Sequence, residues 1–435
     1  MNSVPQNKGT PHYVQIDEKL CNGCVLCIKA CPTKSIRVKE GRVARIEGFC
    51  IDCGNCIRVC PRGAIKAITT GSDALKMNRY TIVSVSPVLY AQFGEDVMPN
   101  DVLLALRKVF NYVYDQSYTQ ELFNVATDLY ISESRKKTGV PWPLISPVCP
   151  VVNHLIAYRF PSLLKHILPI TTPREIAARE LRKRMYEKRG YKIEDIGVYH
   201  VTPCSAKMIS IKEPILLQSS YLDGALGINE IYDIVKKNIP EVDEDIVLHH
   251  SSGVGIGWGM SGGEVVGIGF GNYLAVSGIQ ETMRYLEKIE MGLLGNIEYV
   301  EFRTCPEGCI GGLMTVADKY EAKRTLQKLV RIFGVEKRVK YEYARKLYEE
   351  GWFFSDRNKR VLLDDKSTSL SIPEAIKRQE KVEKILKLLP GKECSLCGSP
   401  DCQTFAEDVV DGRSSIESCI LSSDLRERKE RTDEG

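Results

Sequence analysis

The chain has 435 residues, of which 43% are hydrophobic and 27% charged, so it is long enough for two to four globular domains. Lys and Arg outnumber Asp and Glu by only 60 to 56, and this balance gives no reason to expect a nucleic acid or an anionic membrane as partner. The first thirteen residues lack the apolar stretch of a secretory signal, and no later segment reaches the roughly 20 apolar residues that span a bilayer. We therefore expect a cytoplasmic protein with no membrane insertion, in which the sixteen cysteines bind metal rather than form disulfides.

The first predicted segment, residues 1–75, contains an internal repeat in which CNGCVLCIKACPTKSI returns as CIDCGNCIRVCPRGAI. In each copy three closely spaced cysteines can bind three corners of a 4Fe-4S cubane, while the fourth ligand comes from the other copy. Zinc is the alternative, but three equally spaced cysteines fit its tetrahedral sites poorly. The spacing thus predicts two clusters, one on Cys21, Cys24, Cys27 and Cys60 and the other on Cys50, Cys53, Cys56 and Cys31. The segment resembles a bacterial two-cluster ferredoxin, which implies a small α+β fold and a role in electron transfer.

Residues 76–320 have the composition of an α/β core. Apolar, β-branched runs such as YTIVSVSPV and DIGVYHVTPC predict buried strands, and amphipathic segments such as Asn100 to Tyr114 and Pro173 to Gly190 predict helices. Strands that alternate with helices indicate largely parallel sheets, whose ligand sites lie beyond the carboxyl ends of the strands.

Residues 321–385 are predicted to be a charged helical extension and linker without catalytic residues, and residues 386–435 carry a last cysteine group. Its four thiolates suit either a 4Fe-4S cluster or zinc by spacing alone. The segment LPGKECSLCGSPDCQTFAEDVVDG is similar to a small 4Fe-4S domain of corrinoid iron-sulfur proteins and electron-transfer subunits. This similarity implies a third accessory cluster, bound by Cys394, Cys397, Cys402 and Cys419.

Four cysteines remain, in the contexts ISPVCPVVN, VTPCSAKMIS and RTCPEGCIGG. They could be buried core thiols, because free cysteine is among the most buried residue types. However, each context places a Pro beside a Cys in a loop after an apolar run, and together they complete one further tetrad. The pattern therefore favours a fourth iron-sulfur site, formed by Cys149, Cys204, Cys305 and Cys309.

In order and separation these contexts look like the three signature loops of the FeFe hydrogenases, and the similarity extends to YVYDQSYTQEL, PSLLKHILPITTPREI and SSGVGIGWGMSGG. The resemblance implies an α/β fold with a core of two mostly parallel lobes around the active site. An α+β ferredoxin-like domain would precede this core and a small helical iron-sulfur domain would follow it. It also implies an H-cluster, in which a 4Fe-4S cubane is joined through a cysteine sulfur to a diiron subcluster with CO, cyanide and dithiolate ligands.

By position in these loops, Cys149, Cys204 and Cys305 would hold the cubane and Cys309 would bridge it to the diiron subcluster. Lys207 falls where the family has a lysine that hydrogen-bonds a cyanide, and an ammonium group with three donors suits an anionic ligand. The alternative is that Lys207 is a solvated surface lysine. The resemblance thus makes Cys309 and Lys207 the candidate catalytic residues and predicts four 4Fe-4S clusters in all.

The sequence departs from the family at four positions near this site. Val148 stands where the family has a proton-passing cysteine, Ser210 where it has a relay glutamate, and Thr202 and Arg303 where it has two methionines. Because positioned acid-base groups contribute roughly 10² to 10⁴ in rate, the predicted protein is a slow or sensory hydrogenase that interconverts H2 with protons and electrons.

The accessory clusters would relay electrons in that function. The implied partners are H2 and protons, a redox protein such as ferredoxin or a partner subunit, and the hydrogenase maturation enzymes. A non-catalytic iron-sulfur protein for electron transfer or cluster assembly, without the diiron subcluster, is the alternative. Lys207 and Cys309 favour the hydrogenase, whereas the altered pocket residues favour the alternative.

Overall fold

The computed structural model describes residues 12–39, 43–71, 80–241, 246–354 and 371–421. The chain divides into two compact units. Unit 1 is formed by Met1–Lys66 together with Leu363–Gly435, and unit 2 by Ala67–Leu362.

The N-terminal part of unit 1 is built from short strands and two short helices. They are β1 (Val14–Ile16), α1 (Leu26–Ala30), β2 (Ile36–Lys39), β3 (Val43–Ile46), α2 (Asn55–Arg58) and β4 (Ile65–Ala67). Strand β1 pairs with β4, and β2 pairs with β3 in antiparallel fashion, with Val38 opposite Ala44. One helix lies in each copy of the cysteine repeat, and the apolar side chains of the strands pack with the cysteines. This part has the expected ferredoxin-like α+β fold.

Unit 2 contains two parallel sheets. Its strands are β5 (Tyr80–Val85), β6 (Tyr112–Asp115), β7 (Leu144–Ile145), β8 (Ile196–Thr202), β9 (Gly224–Gly227), β10 (Tyr273–Ser277) and β11 (Tyr299–Arg303). The first sheet has the order β6-β5-β8-β9 and the second the order β10-β11-β7, and every pairing within them is parallel. All residues of β8 and β11 are buried, as expected for parallel sheets that are covered on both faces. The predicted α/β fold class with parallel sheets is confirmed.

Helices surround the two sheets. They are α3 (Pro99–Arg107), α4 (Ser117–Ser134), α5 (Pro150–Arg159), α6 (Pro173–Arg189), α7 (Ala206–Lys212), α8 (Ile228–Asn238), α9 (Gly253–Gly257), α10 (Gly263–Ile268), α11 (Ile279–Glu290), α12 (Lys319–Phe333) and α13 (Tyr341–Glu349). Helix α12 contributes Leu326 and Leu329 to one hydrophobic core, and α13 contributes Ala344 to another. These two helices of the predicted extension are thus part of unit 2.

The helix predicted over residues 100–114 is wrong in its second half. Helix α3 ends at Arg107, and Tyr112–Asp115 forms a strand that pairs with β5. Buried and partly exposed residues alternate along this segment, as expected for a strand with one covered face. Pairing with the buried β5 outweighs the helical pattern of the sequence. The helix predicted over residues 173–190 is confirmed. Helix α6 ends at Arg189, and the next residue, Gly190, caps it in the left-handed conformation with φ of 68°.

The C-terminal part of unit 1 contains α14 (Ile372–Leu386) and α15 (Cys402–Val410). A small core formed by Val382, Leu389, Phe405 and Ala406 joins the two helices, and Cys419 is buried with it. Among the residues described, no helix has the length and apolar character needed to cross a membrane.

Candidate metal centres

Four cysteines of unit 1 line one small concavity, and they are Cys21, Cys24, Cys27 and Cys60. The loop of the first repeat copy supplies three of them, and the fourth comes from the end of the second copy. The backbone N–H of Ala44 donates to Sγ of Cys21 at 3.4 Å, and Val38 also lines the concavity. Burial, reinforced by Cys21 and Cys24, raises the pKa of Cys27 to about 11. Four sulfur donors around one small concavity fit a thiolate-bound cluster.

The other cysteines of the repeat also lie close together. Burial, reinforced by Cys31 from the first copy, raises the pKa of Cys53 to about 12. Burial also raises the pKa of Cys56, with Cys53 and Cys31 adding to the effect, and Cys50 interacts with both Cys53 and Cys56. The structure therefore brings together the four residues that the spacing grouped.

A buried carboxyl group beside this second tetrad was missed in the sequence. Asp52 is 2% exposed, and burial raises its pKa to about 7. Its carboxyl group accepts a 2.9 Å hydrogen bond from the N–H of Tyr13 and lies 3.4 Å from Sγ of Cys50. An acidic residue inside an otherwise apolar CxxC loop is the sequence signal that could have identified it. Charge next to a cluster is one of the factors that set its potential.

The C-terminal cysteines line a third concavity, and they are Cys394, Cys397, Cys402 and Cys419. Helix α15 begins at Cys402 because Asp401 caps it, accepting a 2.7 Å hydrogen bond from the N–H of Thr404. The cap fixes the direction in which the chain leaves the site.

The last four cysteines lie just beyond the carboxyl ends of strands in unit 2. Cys149 follows β7 and is the N-cap residue of α5, Cys204 follows β8, and Cys305 follows β11. Cys309 begins a short 3-10 turn, Cys309–Gly311. Since β7 and β11 belong to one sheet and β8 to the other, the loops of both sheets contribute to the group.

Three of these thiols are close enough to affect one another. Burial raises the pKa of Cys204, and Cys309 and Cys149 add to the shift. Sγ of Cys149 lies 3.7 Å from the hydroxyl of Thr304, the neighbour of Cys305. No three His, Cys, Asp or Glu side chains of the described residues are arranged to hold a single metal ion. A cubane differs from a single ion because each of its four thiolates binds a separate iron atom, and an all-sulfur donor set suits it.

Lys207 lies on α7 beside this group. It is only 7% exposed, which removes the alternative of a solvated surface lysine. Its charge lowers the pKa of Cys204, opposing the larger effect of burial. Its contact with a cyanide stays a prediction.

Arg174, in the first turn of α6, was missed in the sequence. It is 5% exposed, and its guanidinium donates from Nη1 to the carbonyl oxygen of Val148 and from Nη2 to the hydroxyl of Ser210, both at 3.1 Å. Burial lowers its pKa, whereas Glu175 and the thiols of Cys204, Cys149 and Cys309 oppose that shift. A cation in the first turn of a helix is unfavourable for the helix dipole, and that anomaly is the signal that could have identified Arg174.

Arg303 also lies in the interior, as part of a charged network. It is 2% exposed, its Nη2 lies 2.6 Å from a carboxylate oxygen of Glu264, and its Nε lies 3.5 Å from Glu301. The hydroxyls of Tyr299 and Ser146 also donate to Glu264. Burial by itself would lower the pKa of Arg303. Nearby negative groups outweigh this effect and raise the pKa above its ordinary value, and they are Glu301, Glu264, Cys309 and Cys149.

Thr202 and Val148 are the other two positions at which we predict a departure from the FeFe hydrogenases. Thr202 is fully buried, and its hydroxyl both accepts from the N–H of Cys204 at 3.3 Å and donates to the carbonyl of Cys204 at 3.1 Å. Val148 packs into a hydrophobic core. Thr202 thus fixes the loop of Cys204, and neither side chain carries a titratable group.

The glycine-rich segment 253–263 packs against the loop between Cys305 and Cys309. The N–H of Ser261 donates to the carbonyl of Glu307, and the N–H of Ile310 to the carbonyl of Gly259, both at 3.0 Å. Gly308 has φ of 96°, and a Cβ there would lie 2.4 Å from the backbone nitrogen of Ser261. Only glycine fits this position without displacing the loop.

Comparison with known families gives matches to three separate regions of the chain. The family described as "Iron only hydrogenase large subunit, C-terminal domain" matches residues 79–269, which include Cys149 and Cys204. A "4Fe-4S dicluster domain" matches residues 13–61, and a "Putative Fe-S cluster" domain matches residues 389–421.

Individual proteins agree with these matches. The "Periplasmic [Fe] hydrogenase large subunit" of Nitratidesulfovibrio vulgaris is 24% identical over 410 residues, covering 79% of this chain and 96% of that protein. A variant of the [FeFe]-hydrogenase HydA1 from Chlamydomonas reinhardtii superimposes with a TM-score of 0.50 at 16% identity, covering 62% of this chain and 89% of that chain. The HydA(deltaEFG) structure, described as revealing stepwise H-cluster assembly, matches with the same score, identity and coverage. At this identity the solved structures establish a shared fold.

Proposed function

We propose that this chain, which is a divergent member of the FeFe hydrogenase family, interconverts H2 with protons and electrons at low turnover or as a sensor. The observation that carries the proposal is the cluster of Cys149, Cys204 and Cys309 beside the buried cation Lys207. Three thiols that meet beyond two parallel sheets, with a buried cation next to them, suit an anionic metal cofactor.

In this proposal Cys149, Cys204, Cys305 and Cys309 hold the cubane of an H-cluster, and Cys309 also joins it to the diiron subcluster. When bound, that cofactor supplies the iron atoms at which H2 is formed or split. Lys207 would donate to a cyanide ligand, and Arg174 would add positive charge on the side of Val148 and Ser210. Buried cations would stabilise such anionic ligands, because charges interact more strongly away from bulk water.

The low rate follows from the side chains that stand in place of the usual relay. Val148 has no proton to exchange, and the hydroxyl of Ser210 already donates to the carbonyl of Lys207 at 2.8 Å. Both positions are therefore occupied by groups that do not accept a proton at neutral pH.

The three tetrads of unit 1 would hold the accessory 4Fe-4S clusters and relay electrons to and from a redox protein such as ferredoxin. We assign one cluster to Cys21, Cys24, Cys27 and Cys60, one to Cys31, Cys50, Cys53 and Cys56, and one to the C-terminal tetrad. The four sequence segments 1–75, 76–320, 321–385 and 386–435 remain our functional division of the chain. Assembly of the diiron subcluster would require maturation enzymes.

We further propose a cytoplasmic location, because sixteen cysteines that bind clusters must stay reduced. Cell fractionation with an antibody against the chain tests this point. Recovery of the protein from the periplasm, where the relative from Nitratidesulfovibrio vulgaris is named as residing, would contradict it.

Infrared spectroscopy tests the central proposal. The anaerobically purified chain, loaded with iron and sulfide and treated with a synthetic diiron precursor, should show CO and cyanide stretching bands. Cys309→Ser should lose these bands, whereas Cys419→Ser, which alters a different tetrad, should keep them. A fully iron-loaded wild-type protein without such bands would rule the proposal out.

One observation favours the alternative of a non-catalytic iron-sulfur protein. Arg303 stands where the family has a pocket methionine, and its side chain is bound to Glu264 in the interior. A protein that carries all four cubanes but no diiron bands in the infrared experiment would support this second function.

A further inference from the structure

Two segments that are far apart in the sequence meet within unit 1. Arg37 on β2 is 4% exposed, and its guanidinium donates to both carboxylate oxygens of Asp408 on α15, from Nε at 2.5 Å and from Nη2 at 3.2 Å. Asp408 is fully buried and also accepts a 3.1 Å hydrogen bond from the hydroxyl of Ser399. Nη2 of Arg413 also lies 3.2 Å from a carboxylate oxygen of Asp408. The two-point pair with Arg37 holds its partners in one orientation, because both hydrogen bonds must form at once.

Three further contacts lie beside this pair. The N–H of Val38 donates to the carbonyl of Gly398 at 2.8 Å, Lys34 Nζ lies 2.5 Å from a carboxylate oxygen of Asp401, and Lys39 Nζ donates to the carbonyl of Arg413 at 2.9 Å. Gly398 has φ of 80°, and a Cβ at this position would lie 1.7 Å from the carbonyl oxygen of Val38. The approach of the two backbones therefore requires glycine.

This contact lies between two of the cysteine tetrads. Val38 and its antiparallel neighbour Ala44 line the concavity of Cys21, and the N–H of Ala44 donates to the Sγ of Cys21. On the other side, Gly398 is flanked by Cys397 and Ser399, both of which line the C-terminal concavity. One backbone hydrogen bond thus joins the wall of one site to the wall of the other.

The tetrad of Cys31, Cys50, Cys53 and Cys56 is linked to the C-terminal segment by a longer route. The N–H of Lys34 donates to the carbonyl of Cys31 at 3.2 Å, and Nζ at the far end of the half-exposed Lys34 side chain contacts Asp401, which lines the C-terminal concavity. Val38, by contrast, lines the Cys21 concavity and contacts Gly398 through its own backbone. The two sites of the repeat therefore differ in how directly they contact the C-terminal segment.

We infer that the C-terminal cluster exchanges electrons directly with the cluster of Cys21, Cys24, Cys27 and Cys60, through the contact of Gly398 with Val38. In each step one electron leaves the reduced cluster of the pair, which is oxidised by one unit, and the other cluster is reduced by one unit. No covalent bond is formed or broken. The inference rests on the cluster assignment of the proposed function but is independent of H2 turnover.

EPR spectroscopy of the anaerobically reduced full chain tests this order of clusters. Cys53→Ser should remove the second site of the repeat, leaving the Cys21 site and the C-terminal site as neighbours. Cys24→Ser is the matched variant, which should remove the Cys21 site instead. We expect spin–spin broadening of the EPR signal of the C-terminal cluster in Cys53→Ser. The same signal should show no such broadening in Cys24→Ser.

The contact itself is tested with Arg37→Gln and Gly398→Ala, combined with Cys53→Ser. Both should remove the broadening, and hydrogen exchange at the amide of Val38 should accelerate. Arg378→Gln is the control, because it breaks an exposed two-point pair with Asp411 in the same segment, with both hydrogen bonds at 2.9 Å. It should leave the broadening and the exchange of Val38 unchanged.

Broadening that is stronger in Cys24→Ser than in Cys53→Ser, or equal in the two, would overturn the inference. So would a C-terminal segment that holds zinc in place of iron in metal analysis. Missing CO and cyanide bands would instead count against the hydrogenase function and leave the electron route in place.

Discussion

Arg174 donates a 3.1 Å hydrogen bond from Nη2 to the hydroxyl of Ser210, the residue that we predict to stand where FeFe hydrogenases have a relay glutamate. The same guanidinium donates to the carbonyl of Val148, the other position at which we predict an altered relay. A single buried cation thus connects the two predicted departures from the family. An added glutamate at position 210 would face this cation and be held ionised by it.

Introducing the two relay residues of the family should raise H2 turnover. We expect Val148→Cys combined with Ser210→Glu to increase the rate roughly tenfold, which is below the roughly 10² to 10⁴ that acid-base groups usually contribute, because Arg174 would weaken the new carboxylate as a base. The measurement is H2 oxidation and evolution by the fully matured protein. Ser219→Glu, which adds the same charge at an exposed position, should have no effect. An unchanged rate in the double variant would mean that another step limits turnover.

The pair of Arg303 and Glu264 should be important for stability. Arg303→Met leaves the buried carboxyl groups of Glu264 and Glu301 without their cation, so we expect a loss of about 3–5 kcal/mol in the free energy of unfolding. Adding Glu264→Gln and Glu301→Gln should recover most of this loss, because no charge then remains buried. Chemical denaturation under anaerobic conditions measures both effects.

The control for that experiment is Arg135→Gln. It breaks a more exposed pair with Glu298, in which the arginine is 42% exposed, and should cost at most about 1 kcal/mol. Equal losses in Arg303→Met and Arg135→Gln would contradict the structural role of the buried network.

His154 on α5 should make stability depend on pH. Burial lowers its pKa to about 4, from an ordinary value of 6.5. Because the folded protein holds this histidine neutral, the lowered pKa contributes stability that is fully present above pH 6.5 and is lost as the pH falls towards 4. The contribution amounts to about 3 kcal/mol. The wild-type protein should therefore lose stability over this range more steeply than His154→Gln. Melting temperatures measured at several pH values report the difference.

Exposed His250 provides the comparison for the pH experiment. His250→Gln should retain the wild-type slope between pH 6.5 and 4. If His154→Gln retained it as well, the loss of stability would have to be assigned to other groups.

Gly308→Ala should disturb the proposed H-cluster site selectively. The new Cβ would lie 2.4 Å from the backbone nitrogen of Ser261, so the loop between Cys305 and Cys309 would have to move. We expect the protein to lose the iron of one cubane and its CO and cyanide bands while the EPR signals of the accessory clusters persist. Gly295→Ala has no atom within 4 Å of the new Cβ and should bind the wild-type amount of iron. Normal iron content in Gly308→Ala would show that the loop tolerates the change.

Much of this arrangement can be predicted from local patterns. Cysteine spacing groups Cys60 with the first copy of the repeat, and the structure places it on the same concavity as Cys21. Apolar runs that end at Cys204 and Cys305 predict parallel strands with their loops at one edge, and β8 and β11 follow that pattern. These features depend on neighbours in sequence or on a known loop geometry.

Other features depend on residues that are far apart in the chain. Glu264 looks like an ordinary helix charge in the sequence, and only tertiary packing places it in the interior with Arg303. The helix position of Arg174 is unusual for a cation, but its burial also depends on packing. The segment Tyr112–Asp115 reads as the end of a helix until its pairing with β5 is known. The spacing of hydrophobic residues predicts which face of a helix or strand is buried. It does not predict which other element that face packs against.

The ion pair of Arg37 with Asp408 joins two parts of unit 1 that are 371 positions apart in the chain. During synthesis Arg37 leaves the ribosome before unit 2, and Asp408 follows after it. Because domains fold as units in the order of synthesis, Arg37 lacks its partner Asp408 until unit 2 has been made. A later segment therefore completes an earlier one, and products truncated before Asp408 would leave the proposed cluster sites of the N-terminal part without this cover.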